Sequence, residues 1–145
     1  MTTRQKKLSE PTRDILKGAL AGLIGGLIAA AAKSAAEKVY PPHEHSEPEP
    51  RQKKFLEESL PWVLGATAGA AYGALAEIYP QVTDKYGANF GMTLMAVTHE
   101  GPLHALGLAT RPELNEAREQ RSEVVTHVVY GVVCETVRGL VRRTL

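Results

Sequence analysis

Four stretches of this chain read as membrane-spanning helices, and each carries ionisable residues where lipid would tolerate them least. The first runs from Gly18 to Ala32 without a charge, then meets Lys33 and, one turn later, Glu37. A charged side chain left in hydrocarbon costs roughly 3 kcal/mol or more, so charge at membrane depth faces the protein interior or a wet cavity. The pattern implies an all-α fold: an integral membrane, antiparallel bundle of four transmembrane helices with its polar residues turned inward.

The helix limits follow from caps and breakers. Helix 1 is expected over about 12–40, stopped by Pro41-Pro42, which do not continue a helix. Residues 41–58, rich in Pro and Glu, read as a solvated loop containing His43 and His45. Helix 2 is expected over 59–79, with Ser59 as N-cap, Pro61 in the first turn and Pro80 as its stop. Helix 3 is expected over 83–108, kinked at Gly101-Pro102, where Pro102 has no N–H to donate and crowds the carbonyl of Thr98. Helix 4 is expected over 122–143. The whole chain, 1–145, reads as one membrane domain.

Averaged hydropathy alone resembles that of a soluble protein, because polar segments (1–14, 41–58, 110–122) dilute the apolar ones. The net charge of +1 leaves no nucleic-acid footprint. The single cysteine, Cys134, gives neither a disulfide framework nor a Cys-based zinc site and reads as a packed apolar side chain. The first apolar segment starts after a polar stretch and has no Ala-x-Ala site, so it reads as a retained span rather than a cleaved signal.

Arg4, Lys6, Lys7, Arg13 and Lys17 precede helix 1, while Arg138, Arg142 and Arg143 close helix 4; both termini are expected on the cytoplasmic side. Arg51, Lys53, Lys54, Arg111, Arg118 and Arg121 weigh the other way. Trp62 suits an interfacial anchor at the outer end of helix 2. Gly18, Gly22 and Gly26 share one helical stripe, and Gly65, Gly69 and Gly73 lead by the same step to Glu77. Small residues at this spacing let backbones approach closely in lipid. Helix 4 repeats the pattern with Glu123, His127, Gly131 and Glu135. The short match between Tyr72-Gly73-x-x-x-Glu77 and Tyr130-Gly131-x-x-x-Glu135 suggests a duplicated helical hairpin.

The expected intramembrane polar network comprises Lys33, Glu37, Glu77, His99, Glu123, His127, Glu135 and Arg138. An outer layer holds Lys33, Glu37, His99, Glu100, His104 and His127; an inner layer holds Glu77, Glu135 and Arg138. Within them, Lys33 with Glu37 and Glu135 with Arg138 are ordinary intrahelical pairs, with Glu77 joining either member of the latter. Glu100, His104 and His127 offer mixed N and O donors for Zn or Fe. They lack the Glu-x-x-His spacing of bundle di-iron sites, and satisfied polar contacts are the favoured reading.

The run Gly22-Leu-Ile-x-Gly26, Lys33-x-x-x-Glu37 and Pro41-Pro42, the segment Tyr72-x-x-x-Ala76-Glu77-x-x-Pro80, and Ser122-Glu123-x-x-x-His127-x7-Glu135-x-x-Arg138 together resemble the YagU-like bacterial inner-membrane proteins. The resemblance covers all four helices. It implies a bacterial inner (cytoplasmic) membrane location but no chemistry, since that family is one of unknown function. His99 fits its third helix; Glu100 and His104 depart from its pattern, and the first loop is shorter here.

Three functions are expected, in order. The first is a small non-enzymatic multi-span membrane protein, self-associating or an accessory subunit of a membrane complex. The second is a proton- or ion-handling protein with a relay of Glu77, Glu135, His127 and Lys33. The third is metal or haem binding by His99, His104 and His127. No Ser/His/Asp set, P-loop, Gly-x-Gly-x-x-Gly or Cys-x-x-Cys supports an enzyme. No cofactor is expected beyond a bound lipid; the expected partners are the bilayer and other membrane subunits.

Overall fold

A computed structural model describes residues 9–39, 51–99 and 117–145, with side chains described for 9–39, 58–98 and 121–145. Among these residues the chain is all-α, with four helices and no strand: α1 (Glu10–Val39), α2 (Arg51–Ile78), α3 (Ala88–His99) and α4 (Ala117–Arg142). Two of them, α1 and the Arg121–Arg142 portion of α4, are long and apolar enough to cross a membrane by length and composition. The twelve described residues of α3 rise only about 18 Å.

Glycine decides how α1 meets α2. Gly22 lies against Gly69 and Gly73, Gly26 against Gly65 and Gly69, and Gly18 against Gly73, so the two helices run antiparallel. A Cβ on Gly22 would lie 2.8 Å from the Gly73 Cα, and one on Gly69 would lie 2.7 Å from the Gly26 Cα. Real side chains never approach backbone that closely, so only glycine permits this seam. Gly65 sits at its looser end, where a Cβ would meet the Ala30 Cβ at 3.0 Å.

A second seam joins α3 to α4. Gly91 packs on the backbone at His127 and Gly131, and a Cβ on Gly131 would lie 2.7 Å from the Gly91 nitrogen. The two seams repeat one another. Gly18 stands over Gly73 and Glu77 as Gly87 stands over Gly131 and Glu135, and Gly22 faces Gly73 as Gly91 faces Gly131. The tyrosine–glycine–glutamate match seen in sequence thus has matching contacts in space.

Gly25, one residue off the first stripe, turns to α4, where its Cβ would lie 3.3 Å from the Arg138 nitrogen. With Asp14 bonded to Arg142, this makes α1 and α4 antiparallel as well. Helices α2 and α4 run parallel, and large side chains bridge them. Tyr72 and Phe90 stack at 4.1 Å, Phe90 and Tyr130 meet at 6.0 Å, and Ala29, Ala30 and Cys134 complete the core. The Tyr130 hydroxyl donates to the Gly65 carbonyl at 2.6 Å, which satisfies its buried polar end.

Several expected limits need correction. Helix α2 begins at Arg51, not Ser59, so 51–58 is helical rather than part of a solvated loop, and Pro61 lies inside the helix. Arg51-Gln-Lys-Lys and the following Leu and Glu residues are strong helix formers, and they extend the helix through the proline. Helix α4 likewise begins at Ala117, ahead of Ser122.

The expected single helix from 83 is instead a 3-10 segment, Pro80–Gly87, followed by α3. Asp84 is extended (ψ 147°), and Lys85 (φ 54°), Tyr86 (φ 55°) and Gly87 (φ 81°) are all left-handed, which ends any helical ladder there. For Lys85 and Tyr86 this conformation costs roughly 1–2 kcal/mol each; for Gly87 it carries no such cost. The Gly101-Pro102 kink lies outside the described residues.

Candidate functional site

The polar residues of α1, α2 and α4 converge where the N-terminal end of α1 meets the C-terminal ends of α2 and α4. Glu135 is the hub: Arg138 donates to it through Nε at 2.7 Å and Nη2 at 2.8 Å, and the Tyr72 hydroxyl donates to Oε2 at 2.8 Å. The parallel fork of two N–H donors on one carboxylate is the strongest arrangement such a pair can adopt. The Arg138 guanidinium also lies 5.9 Å from the centre of the Tyr72 ring, within cation–π range.

One turn beyond Arg138, Arg142 repeats the fork on another helix. Its Nε donates to Glu77 Oε1 at 2.7 Å and its Nη2 to Glu77 Oε2 at 3.1 Å and Asp14 Oδ1 at 3.1 Å. Arg138 Nη1 lies 4.0 Å from Glu77, which links the two forks. Three carboxylates and two guanidinium groups thus tie three helices together. The inner members are well shielded, Arg138 at 11% and Glu135 at 16% side-chain exposure, while Asp14 at 51% forms the open edge. Gly18 makes room for this, since a Cβ there would press on Glu77.

The other expected site residues whose side chains are described lie apart from this cluster. Lys33 bonds to Glu37 within α1. His127 is buried, with Nδ1 2.9 Å from the Glu123 carbonyl oxygen and 3.5 Å from Glu123 Oε2. Eight residues, about 12 Å of helix, separate His127 from Glu135. Between them stands Tyr130, bonded to backbone. Among the described residues no group of three or more His, Cys, Asp or Glu is placed to hold a metal ion. Glu100 and His104, and the side chain of His99, lie outside the described residues.

Sequence reasoning missed Asp14, Arg142 and the role of Tyr72, together with Gly25, Gly87 and Gly91. Asp14 lies one turn before Gly18 on the same stripe, and Arg142 one turn after Arg138, so periodicity carried both signals. Gly87-x-x-x-Gly91 carried the small-residue spacing of the second seam.

Two glycine-seamed helix pairs, pinned at one end by a shielded ion cluster, define an all-α helix-packing protein with two helices fit to cross a membrane. Residues 57–136 match the family described as Protein of unknown function (DUF1440), and the chain belongs to that family. The matched span runs from early α2 to Thr136, taking in Glu77, Gly131 and Glu135 and leaving out α1, Arg138 and Arg142. No curated protein and no solved structure matches the chain.

Proposed function

We propose that this is a non-enzymatic integral protein of the bacterial inner membrane, akin to the YagU-like proteins, in which four spans form an antiparallel bundle that serves as an accessory or self-associating component of a membrane complex. The observation that carries the reading is the Glu135–Arg138, Glu77–Arg142 cluster. Its acids and bases are bonded to one another across three helices, which spends their bonding capacity on holding the bundle together. Glycine seams support the same reading, because close backbone packing is what binds helices when lipid removes the hydrophobic drive. The shared end of α1 and α4 would lie in the cytoplasm, where their Lys and Arg residues belong.

One observation favours the second reading, proton or ion handling. From Tyr72 through Glu135, Arg138, Glu77 and Arg142 to Asp14 the polar contacts form a chain that reaches solvent. Among the described residues it stops inward at Tyr72, while Lys33 bonds to Glu37 and His127 to Glu123.

Carbonate washing of native membranes, followed by detergent purification, tests the leading reading. The protein should stay in the membrane pellet and elute with a second copy or another membrane protein in fixed ratio. Release by carbonate would remove the membrane assignment, and a lone monomer from gently solubilised membranes would remove the subunit role.

A further inference from the structure

We propose that the turn from Tyr79 to Gly87 is an interfacial anchor seated in the phospholipid headgroup layer, and that it and Trp62 mark the two faces of the bilayer the bundle crosses. The proposal rests on the membrane reading above and adds where the lipid boundary falls and which segment holds it.

Among the described residues three amphipathic aromatic side chains stand out from the bundle: Trp62 at 41% exposure, Tyr79 at 58% and Tyr86 at 83%. They lie at two levels only. Trp62 lies eleven residues into α2, among the first of its described side chains; Tyr79 follows the last residue of the helix, and Tyr86 lies in the same turn. Along α2 the outward residues between them, Val63, Thr67, Ala71 and Leu75, carry no charge. On the facing helix the outward residues between the same levels, Leu20, Leu23, Leu27, Ile28 and Ala31, carry no charge either.

Charge returns at both levels. Lys33 and Glu37 continue α1 past the point where Ala30 meets Gly65, next to Trp62, whereas Asp14, Glu77 and Arg142 gather near Tyr79. Aromatic side chains at two levels, with an uncharged outward band between and charges beyond, are the pattern of a membrane belt. From Trp62 to Ile78 the helix rises about 24 Å, somewhat less than a typical hydrocarbon core of about 30 Å. The fit is to a thin or locally thinned bilayer.

The backbone of the turn gives a separate argument. Gly87, the glycine of the turn, takes a left-handed conformation as it packs on Gly131. Lys85 and Tyr86 are left-handed in addition, against their preference, and the result is a tyrosine ring held away from the bundle. Strain of this kind at an outward-facing residue points to a use for its direction. A phenol ring with one apolar body and one hydroxyl finds both its environments at the boundary between headgroups and chains. Asp84 and Lys85 cancel in charge, which suits a zwitterionic headgroup layer.

The protein has a single tryptophan, so depth can be read directly. Three versions are reconstituted in phosphatidylcholine vesicles brominated either near the headgroup or near the chain ends: the unaltered chain, Trp62→Phe/Tyr86→Trp, and Trp62→Phe/Leu23→Trp. The expected result is that Trp62 and the residue-86 indole are quenched several-fold more by the shallow bromines, and the residue-23 indole by the deep ones. Deep quenching at residue 23 with no quenching at residue 86 would overturn the anchor while leaving the membrane reading intact. No quenching at residue 23 would overturn both.

Discussion

Glu135 accepts hydrogen bonds from Arg138 and Tyr72 in a shielded setting, so its loss leaves a guanidinium whose nearest remaining anion is Glu77 at 4.0 Å. Breaking a buried pair from one side costs roughly 3–5 kcal/mol, because the surviving charge has no compensation. Glu135→Ala should therefore lower stability by about that much in detergent unfolding. Asp14→Asn, at the half-exposed edge, should cost roughly 0–1 kcal/mol. Equal losses at the two positions would mean that the cluster is solvated throughout. The Glu135–Arg138 pair was legible in the sequence because both residues sit on one helix three apart. The Glu77–Arg142 pair was not, since it depends on how far α4 is shifted along α2. The same separation in sequence, 65 residues, relates Glu77 to Arg142 and Gly65 to Tyr130, and no periodicity supplies that offset.

Between helices, the glycine seams set the tolerance to added volume. Gly69→Leu or Gly73→Leu should abolish or severely destabilise the folded state, whereas Ala71→Leu, which faces outward on the same helix, should change the unfolding midpoint little. Gly65→Ala should be milder than Gly69→Ala, because its nearest contacts would be the Ala30 methyl at 3.0 Å and the Gly26 carbonyl at 3.3 Å, whereas a Cβ at Gly69 would lie 2.7 Å from the Gly26 Cα. Equal tolerance across these positions would place the seam elsewhere. The α1–α2 seam was readable from the four-residue spacing of glycine. The start of α2 was not, because Ser59 and Pro61 imitate a helix beginning while the residues before them favour helix as strongly. The left-handed turn had no signature either, since Lys85 and Tyr86 are not turn residues. Lys85→Gly should relieve part of that strain and raise stability by about 0.5–1 kcal/mol, measured by the same unfolding assay. A loss of stability there would mean that the lysine side chain holds the turn.

For the molecule as a whole, the short band of uncharged outward residues between Trp62 and Tyr79 predicts a preference for thin bilayers. Unfolding resistance in vesicles should rise as the lipid chains shorten toward a hydrocarbon thickness of about 24 Å and fall in longer-chain lipids. Stability indifferent to chain length would contradict that placement. Among the described residues Lys33–Glu37 and Glu123–His127 lie apart from the Glu77–Glu135 cluster, and this bears on what the protein does. A relay needs a connected path, and a structural lock needs only local bonds. The measurement that divides these most directly is made on Glu135→Gln, reconstituted in vesicles carrying a pH-sensitive dye and unfolded in parallel by detergent. The account predicts a marked loss of stability and an imposed pH gradient that decays at the same rate as with the unaltered protein. A stably folded Glu135→Gln protein that loses a proton flux shown by the unaltered one would contradict it.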